Sequence, residues 1–260
     1  MKKKSFKISN IFLAVLLIIM YIPIVVVVIY SFNASKQTII WGGFTTSWYG
    51  EMLRDRSLLE ALRNSLILGL ISSAAAGIIG TLAAVGMAKV DFRTKGLLEY
   101  VSMLPIMIPE IILGMVFLVF FSLLGLPFGM TTLIIAHTAF CIPYVYTMVK
   151  GRLVGLDRSL AEAAKDLGAS EFRVFFDITL PLISPAIVSG MLLAFAMSLD
   201  DVVISIFVTG ARTNTLPIKI YTQLKTGVSP KINALCTLML IVTFLLVFLS
   251  HKIGKKGTSK

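Results

Sequence analysis

Three carboxylates stand deep inside apolar stretches: Glu110 in one of them, which Glu99 also interrupts, and Asp200 beside Asp201 in another. A carboxylate at the centre of a membrane helix costs about 2.5 to 3.5 kcal/mol on insertion scales, so three such groups are unlikely passengers. The chemistry they suit is the holding of a cation, since an ammonium about 4 Å from a carboxylate gains on the order of 4 kcal/mol at an effective dielectric near 20. Ser198, Asp201 and Ser205 are spaced i, i+3 and i+7, which on an unbroken helix makes one polar stripe with Asp200 at its edge. Such a stripe implies a pathway face formed by Ser198, Asp200, Asp201 and, from another helix, Glu110. Trp48, with Trp41 and Tyr49, adds aromatic faces worth about 0.5 to 2 kcal/mol each to a passing cation. Each residue also has a purely architectural reading. Glu110 can satisfy backbone groups freed by Pro105 and Pro109, the aspartates can bond to a neighbouring helix, and Trp48 can anchor at the lipid interface. His137, a lone imidazole in an apolar stretch, reads as a structural hydrogen-bonding group, and Tyr21 and Pro143 as packing and kink positions. Cys141 and Cys236 have no metal-ligand spacing and read as apolar packing.

The elements that must position these residues are membrane helices. The 260-residue chain is 57% hydrophobic and 14% charged, with a mean hydropathy of +0.92, beyond what a water-facing globule tolerates. Six apolar stretches have the length to cross a hydrocarbon layer about 30 Å thick: 11–30, 66–88, 97–124, 131–149, 185–209 and 232–250. The first is longer than the apolar core of a secretory signal and lacks an Ala-x-Ala site, so it is expected to be a retained helix. The fold class predicted is therefore an all-α integral membrane protein with six transmembrane helices. The net charge of +11 is unevenly placed, with sixteen basic residues in the two termini and the second and fourth connections, and eight in the other loops. This bias puts both termini in the cytoplasm and explains the positive charge without nucleic acid. One domain spans 1–260, and its cytoplasmic connection, 150–184, has apolar residues at helical spacing (Leu156, Leu160, Ala163, Ala164, Leu167). Gly168 stands where a cap glycine ends that helix, and Ser170 can cap a second short helix running to Pro181. Ser159 and Glu162 also have capping-box spacing.

The run Glu162-Ala163-Ala164-Lys165-Asp166-Leu167-Gly168, followed by Ile178-Thr179-Leu180-Pro181, resembles the EAA signature of ABC importer permeases. That resemblance implies a coupling helix that lies in a groove on a separate ATPase. Ala163, Ala164 and Gly168 would allow close approach, and Glu162, Asp166 and Glu171 would pair with basic groups there. The chain carries no G-x-x-x-x-G-K-[ST] phosphate loop, so ATP and Mg are expected at the partner, with no cofactor bound by this chain and no covalent chemistry. Further segments, Phe44-Thr45-Thr46-x-Trp48-Tyr49, Ser198-Leu199-Asp200-Asp201-Val202-Val203, Phe207-Val208-Thr209-Gly210, Thr215-Leu216-Pro217-x-Lys219-Ile220-Tyr221 and Gly227-Val228-Ser229-Pro230-x-Ile232-Asn233-Ala234, are similar to PotC-type permeases of spermidine/putrescine importers. This implies a MetI-like type I importer fold in the bacterial plasma membrane, a polyamine substrate, a PotB-like second permease, a PotA-like ATPase dimer and a PotD-like extracellular binding protein. Glu110 stands where relatives of this type can carry Asp, and its longer arm bears on which polyamine fits. Other readings of the same acids are an importer for another small solute, a proton-coupled secondary transporter that uses them as a relay, and a membrane scaffold without transport.

Overall fold

The computed structural model describes residues 2–36, 40–90, 93–157, 159–211, 213–226 and 229–241, together with Phe244. Twelve helices are named among the described residues: α1 Lys2–Tyr30, α2 Ser47–Arg54, α3 Arg56–Lys89, α4 Lys95–Met107, α5 Glu110–Leu123, α6 Met130–Val154, α7 Ser159–Asp166, α8 Glu171–Arg173, α9 Leu180–Asp200, α10 Val203–Val208, α11 Leu216–Thr226 and α12 Pro230–Ile241. A π-helical segment, Val174–Thr179, joins α8 to α9. Four helical stretches are long and apolar enough to cross a bilayer, Ser9–Tyr30, Arg56–Lys89, Met130–Val154 and Glu171–Asp200, or five if α4 and α5 make one broken span. Of the expected sixth span, α12 holds the first part. Residues 242–243 and 245–250 lie outside the described residues, as do Arg158, Arg212, Gly227, Val228 and the tail lysines Lys252, Lys255, Lys256 and Lys260.

Two spans depart from the straight helices expected of them. The third is bent by 106° between α4 and α5. Pro109 offers no N–H, and its ring drives the preceding Ile108 into extended backbone (φ −81°, ψ 132°), so the helix stops and restarts. The fifth begins earlier in the chain, within the segment 150–184, than expected. The short helix that Ser170 starts does not end at Pro181 but runs on through the π segment, with Pro181 just past the point where the π segment gives way to α9. That span then breaks at its other end, where Asp201 is extended (φ −66°, ψ 121°) and α10 follows as a separate turn.

The described residues form two compact units, Met1–Leu59 with Ile220–Lys260, and Glu60–Lys219. In the first, α1 leaves its apolar side chains exposed, as a helix does when lipid is its solvent. Asn33 organises the loop after it. The Asn33 side-chain amide donates to the Ile40 carbonyl (2.8 Å), and its Oδ1 accepts the Gly42 N–H (2.8 Å). The centre of the second unit is α6 packed on α9, with Phe140, Cys141, Val145, Tyr146 and Val149 of α6 buried against Ile183 and Ala194. Between apolar helices in lipid the hydrophobic effect gives little, so attraction depends on close backbone approach. Small residues provide it: a Cβ on Gly190 would lie 3.0 Å from the Val145 Cα, and one on Gly80 would lie 3.0 Å from the Ile142 carbonyl oxygen. On the other flank α10 lies on α5, where Gly114 makes room for the Phe207 ring.

Candidate functional site

The break in the fifth span is built around an imidazole. Asp201 stands between α9 and α10, and its two oxygens accept the N–H groups of Ile204 (3.1 Å) and Ser205 (2.8 Å), the first donors of the restarted helix. His137 reaches the same point from α6. Its Nδ1 is 2.8 Å from the Ser198 hydroxyl, and its Nε2 is 3.0 Å from the Ser205 hydroxyl and 3.3 Å from Asp201 Oδ2. The arrangement suits the tautomer with hydrogen on Nε2, which serves the carboxylate while Nδ1 accepts from Ser198. All four side chains are buried. Ser198, Asp201 and Ser205 do come together, but they are not a stripe on a continuous helix. The chain is broken between them, and the three converge inward on His137.

The neighbouring acid is placed in the opposite manner. Asp200, the last residue of α9, is exposed. Glu110 is exposed as well, and is the first residue of α5, where the unpaired N–H groups and the positive end of the helix dipole favour a carboxylate. It lies within electrostatic reach of the Tyr144 hydroxyl on α6. Glu110 is thus at a helix start and not in the middle of a straight span.

Trp48, in the unit Met1–Leu59 with Ile220–Lys260, is buried, and its indole N–H donates to the Asn33 carbonyl (2.7 Å). Tyr49 shares a hydrogen bond with Ser31 (2.8 Å). Trp41, half-exposed, meets Tyr30 edge-on. The tryptophan with the free face is therefore Trp41, while Trp48 ties α2 to the loop.

In the expected coupling segment, α7 has no buried residue and exposes Glu162, Ala163 and Asp166, with Ala164 half-buried. Its end is a Schellman cap: the Gly168 N–H donates to the Lys165 carbonyl (2.8 Å) and the Ala169 N–H to the Ala164 carbonyl (3.0 Å), with Gly168 at φ +85°. At its start the Ser159 N–H donates to Asp157 Oδ1 (2.9 Å), so Asp157 takes the capping part that spacing suggested for Ser159. That bond holds the Asp157 carboxyl below its ordinary range. Ser170 accepts the Arg173 N–H and caps the next helix as expected. Glu171 pairs with Lys89 at the end of α3 (2.8 Å) and with Lys165 of α7, and so braces the segment within this chain. Beside it lies a cavity of about 520 Å³ among the inner ends of α3, α4, α6 and α7. At its edge Glu99 of α4 pairs with Lys150 of α6 (2.8 Å).

Sequence reasoning read His137 as a structural hydrogen-bonding group, as the structure has it, but did not name its partners, and it did not assign Glu99, Lys150 or Asn33 to these roles. Periodicity finds residues that share a helix, and these connect different elements. For Glu99 a signal was present, since it interrupts an apolar run.

Comparison with known proteins is consistent with this architecture. Residues 76–259 match the family described as binding-protein-dependent transport system inner membrane component. The chain is 43% identical over 239 residues to the spermidine/putrescine transport system permease protein PotC of Escherichia coli strain K12, covering 92% of this chain and 90% of that protein. It is 44% identical over 248 residues to the putrescine transport system permease protein PotI of the same strain, covering 91% and 88%. Among solved structures, a bacterial ABC transporter involved in import of the acidic polysaccharide alginate matches with a TM-score of 0.72 at 16% identity, covering 96% of both chains. The MetNI methionine ABC transporter, inward facing, matches at 0.62 with 19% identity, covering 76% of this chain and 95% of that one. The chain belongs to the inner membrane components of binding-protein-dependent transport systems, as a multi-pass ABC importer permease with the MetI-like fold.

Proposed function

We propose that this permease carries polyamines, spermidine or putrescine, and that Asp200 and Glu110 are its principal contacts with them. The observation that supports this best is that both acids are exposed, stand at helix ends on different elements, and are set in apolar spans, 97–124 and 185–209, that contain no Lys or Arg. A polyamine is a flexible chain of ammonium groups separated by methylenes, so spaced carboxylates between apolar walls match it. An anion would meet only repulsion there. Permeases related over nearly their whole length bear the names of spermidine and putrescine systems, which favours the same substrate class here. In this reading Ser198 and Asp201 serve the path from behind.

The chain itself performs no covalent chemistry and holds no cofactor; ATP and Mg belong to a PotA-like ATPase dimer. The exposed residues Glu162, Ala163, Asp166 and Gly168 and the half-buried Ala164, with Glu171 bracing them, form its docking helix. A PotB-like permease completes the path and a PotD-like extracellular protein delivers the substrate. Binding of the loaded delivery protein outside and closure of the ATPases inside alternate the access of the acids between the two faces. The test is uptake of labelled spermidine and putrescine by the reconstituted complex. Uptake should require ATP, survive collapse of the proton gradient, and fall when Asp200 is changed to Asn. Uptake that follows the proton gradient and ignores ATP would mark a secondary transporter.

A further inference from the structure

We infer that His137 is the positioning residue of the translocation path: it fixes the break in the fifth span and thereby sets where Asp200 presents its charge. The inference rests on the proposed reading of Asp200 as a cation contact. A helix that stops and restarts within an apolar span leaves N–H groups at the restart that lipid cannot satisfy. Here the N–H groups of Ile204 and Ser205 are taken by Asp201, so the geometry of the break is the geometry of that one carboxylate. The carboxylate is held in turn by His137 Nε2, and the same ring binds Ser198 before the break and Ser205 after it. A histidine that merely fills a core needs one or two partners anywhere. Every polar partner of His137 flanks or occupies the break, and the ring is fully buried on α6, the most deeply packed helix of its unit. Asp200 is joined to Asp201 by a single peptide, and its own carboxylate is exposed. Rotation at the break therefore becomes displacement of the Asp200 charge, and His137 is what limits the rotation.

The experiment uses the complete transporter, with both permeases, the ATPases and the binding protein, in lipid vesicles. Asp200→Cys is reacted with a small cationic methanethiosulfonate reagent, with and without His137→Asn, and the chain with native Asp200 gives the background of Cys141 and Cys236. The expected result is a change in reaction rate of about fivefold or more on adding His137→Asn. With native Asp200, His137→Asn should cut uptake while the loaded binding protein still stimulates ATP hydrolysis. His137→Asn combined with Asp200→Asn should lose no more than Asp200→Asn alone. Ser198→Ala and Ser205→Ala, which each remove one hydroxyl from the ring, should shift the thiol rate in the same direction by smaller factors, and they decide the matter if His137→Asn does not assemble. An unchanged thiol rate in all three backgrounds, or losses that multiply, overturns the positioning role and leaves the acid path standing. Native uptake by Asp200→Asn overturns the acid path and this inference with it.

Discussion

The Asp201 carboxylate accepts two backbone N–H groups and faces a buried imidazole, whereas the carboxylate one residue before it is exposed. This difference predicts different phenotypes from the same substitution. Asp200→Asn keeps the shape and removes the charge, so uptake should fall about tenfold or more while the complex assembles at its native level. Asp201→Asn leaves one side-chain oxygen as acceptor and places an amide against His137, in a site where an unmet buried partner costs about 1 to 3 kcal/mol. Its loss should therefore include assembly or thermal stability, read by the yield and melting of the purified complex. Glu110→Gln should weaken uptake, and Glu110→Asp should restore it with an altered ratio of spermidine to putrescine, because the carboxylate then sits one methylene nearer α5.

At the scale of the element, the coupling segment is a short helix defined by its ends. Gly168 has φ +85° with nothing near the position of a Cβ, so the demand for glycine there is conformational and not one of space within this chain. Gly168→Ala should cost about 1 kcal/mol and Gly168→Val more, while Gly168→Asn, which tolerates this backbone, should be milder. If the glycine also seats the helix on the ATPase, even Asn should reduce ATPase co-purification. Glu162→Lys, on the exposed face, should abolish co-purification with little effect on the isolated permease. The Asp157 cap obeys a simple linkage. Its carboxyl is held below the ordinary range, so its contribution is complete above about pH 4 and is lost only as acid carries the pH down through that depressed value. An importer near neutral pH keeps this cap throughout its cycle, and Asp157→Ala should speed amide exchange in the first turn of α7.

At the scale of the whole molecule, ends of α3, α4, α6 and α7 surround one cavity, and under the proposed coupling role they are the elements through which movement of α7 would reach the acids. Glu99 and Lys150 tie α4 to α6 there, with side chains 29% and 41% exposed. A pair that wet contributes little to stability, so it guides more than it holds. Glu99→Gln should leave assembly intact and lower uptake less than about threefold, and a larger loss, with ATP hydrolysis unchanged, would show that the tie carries coupling force.

The sequence alone determined the solvent of this protein, its helical class and the ends of the helix Ser159–Asp166, because hydropathy, helical period and cap chemistry are local properties read along one chain. Gly168 at the end of α7 and Ser170 before the next helix were legible for that reason. Only the tertiary structure decided that two spans are broken, that Glu110 begins a helix, that Trp48 is an anchor, and that Ser198, Asp201 and Ser205 close on His137 while Asp200 stays exposed. A stripe at i, i+3 and i+7 presumes an unbroken helix, and what breaks this one is stabilised by a residue more than sixty positions away, on a different helix. Which of two adjacent carboxylates turns inward depends on the partner waiting there, and no spacing within one helix records it.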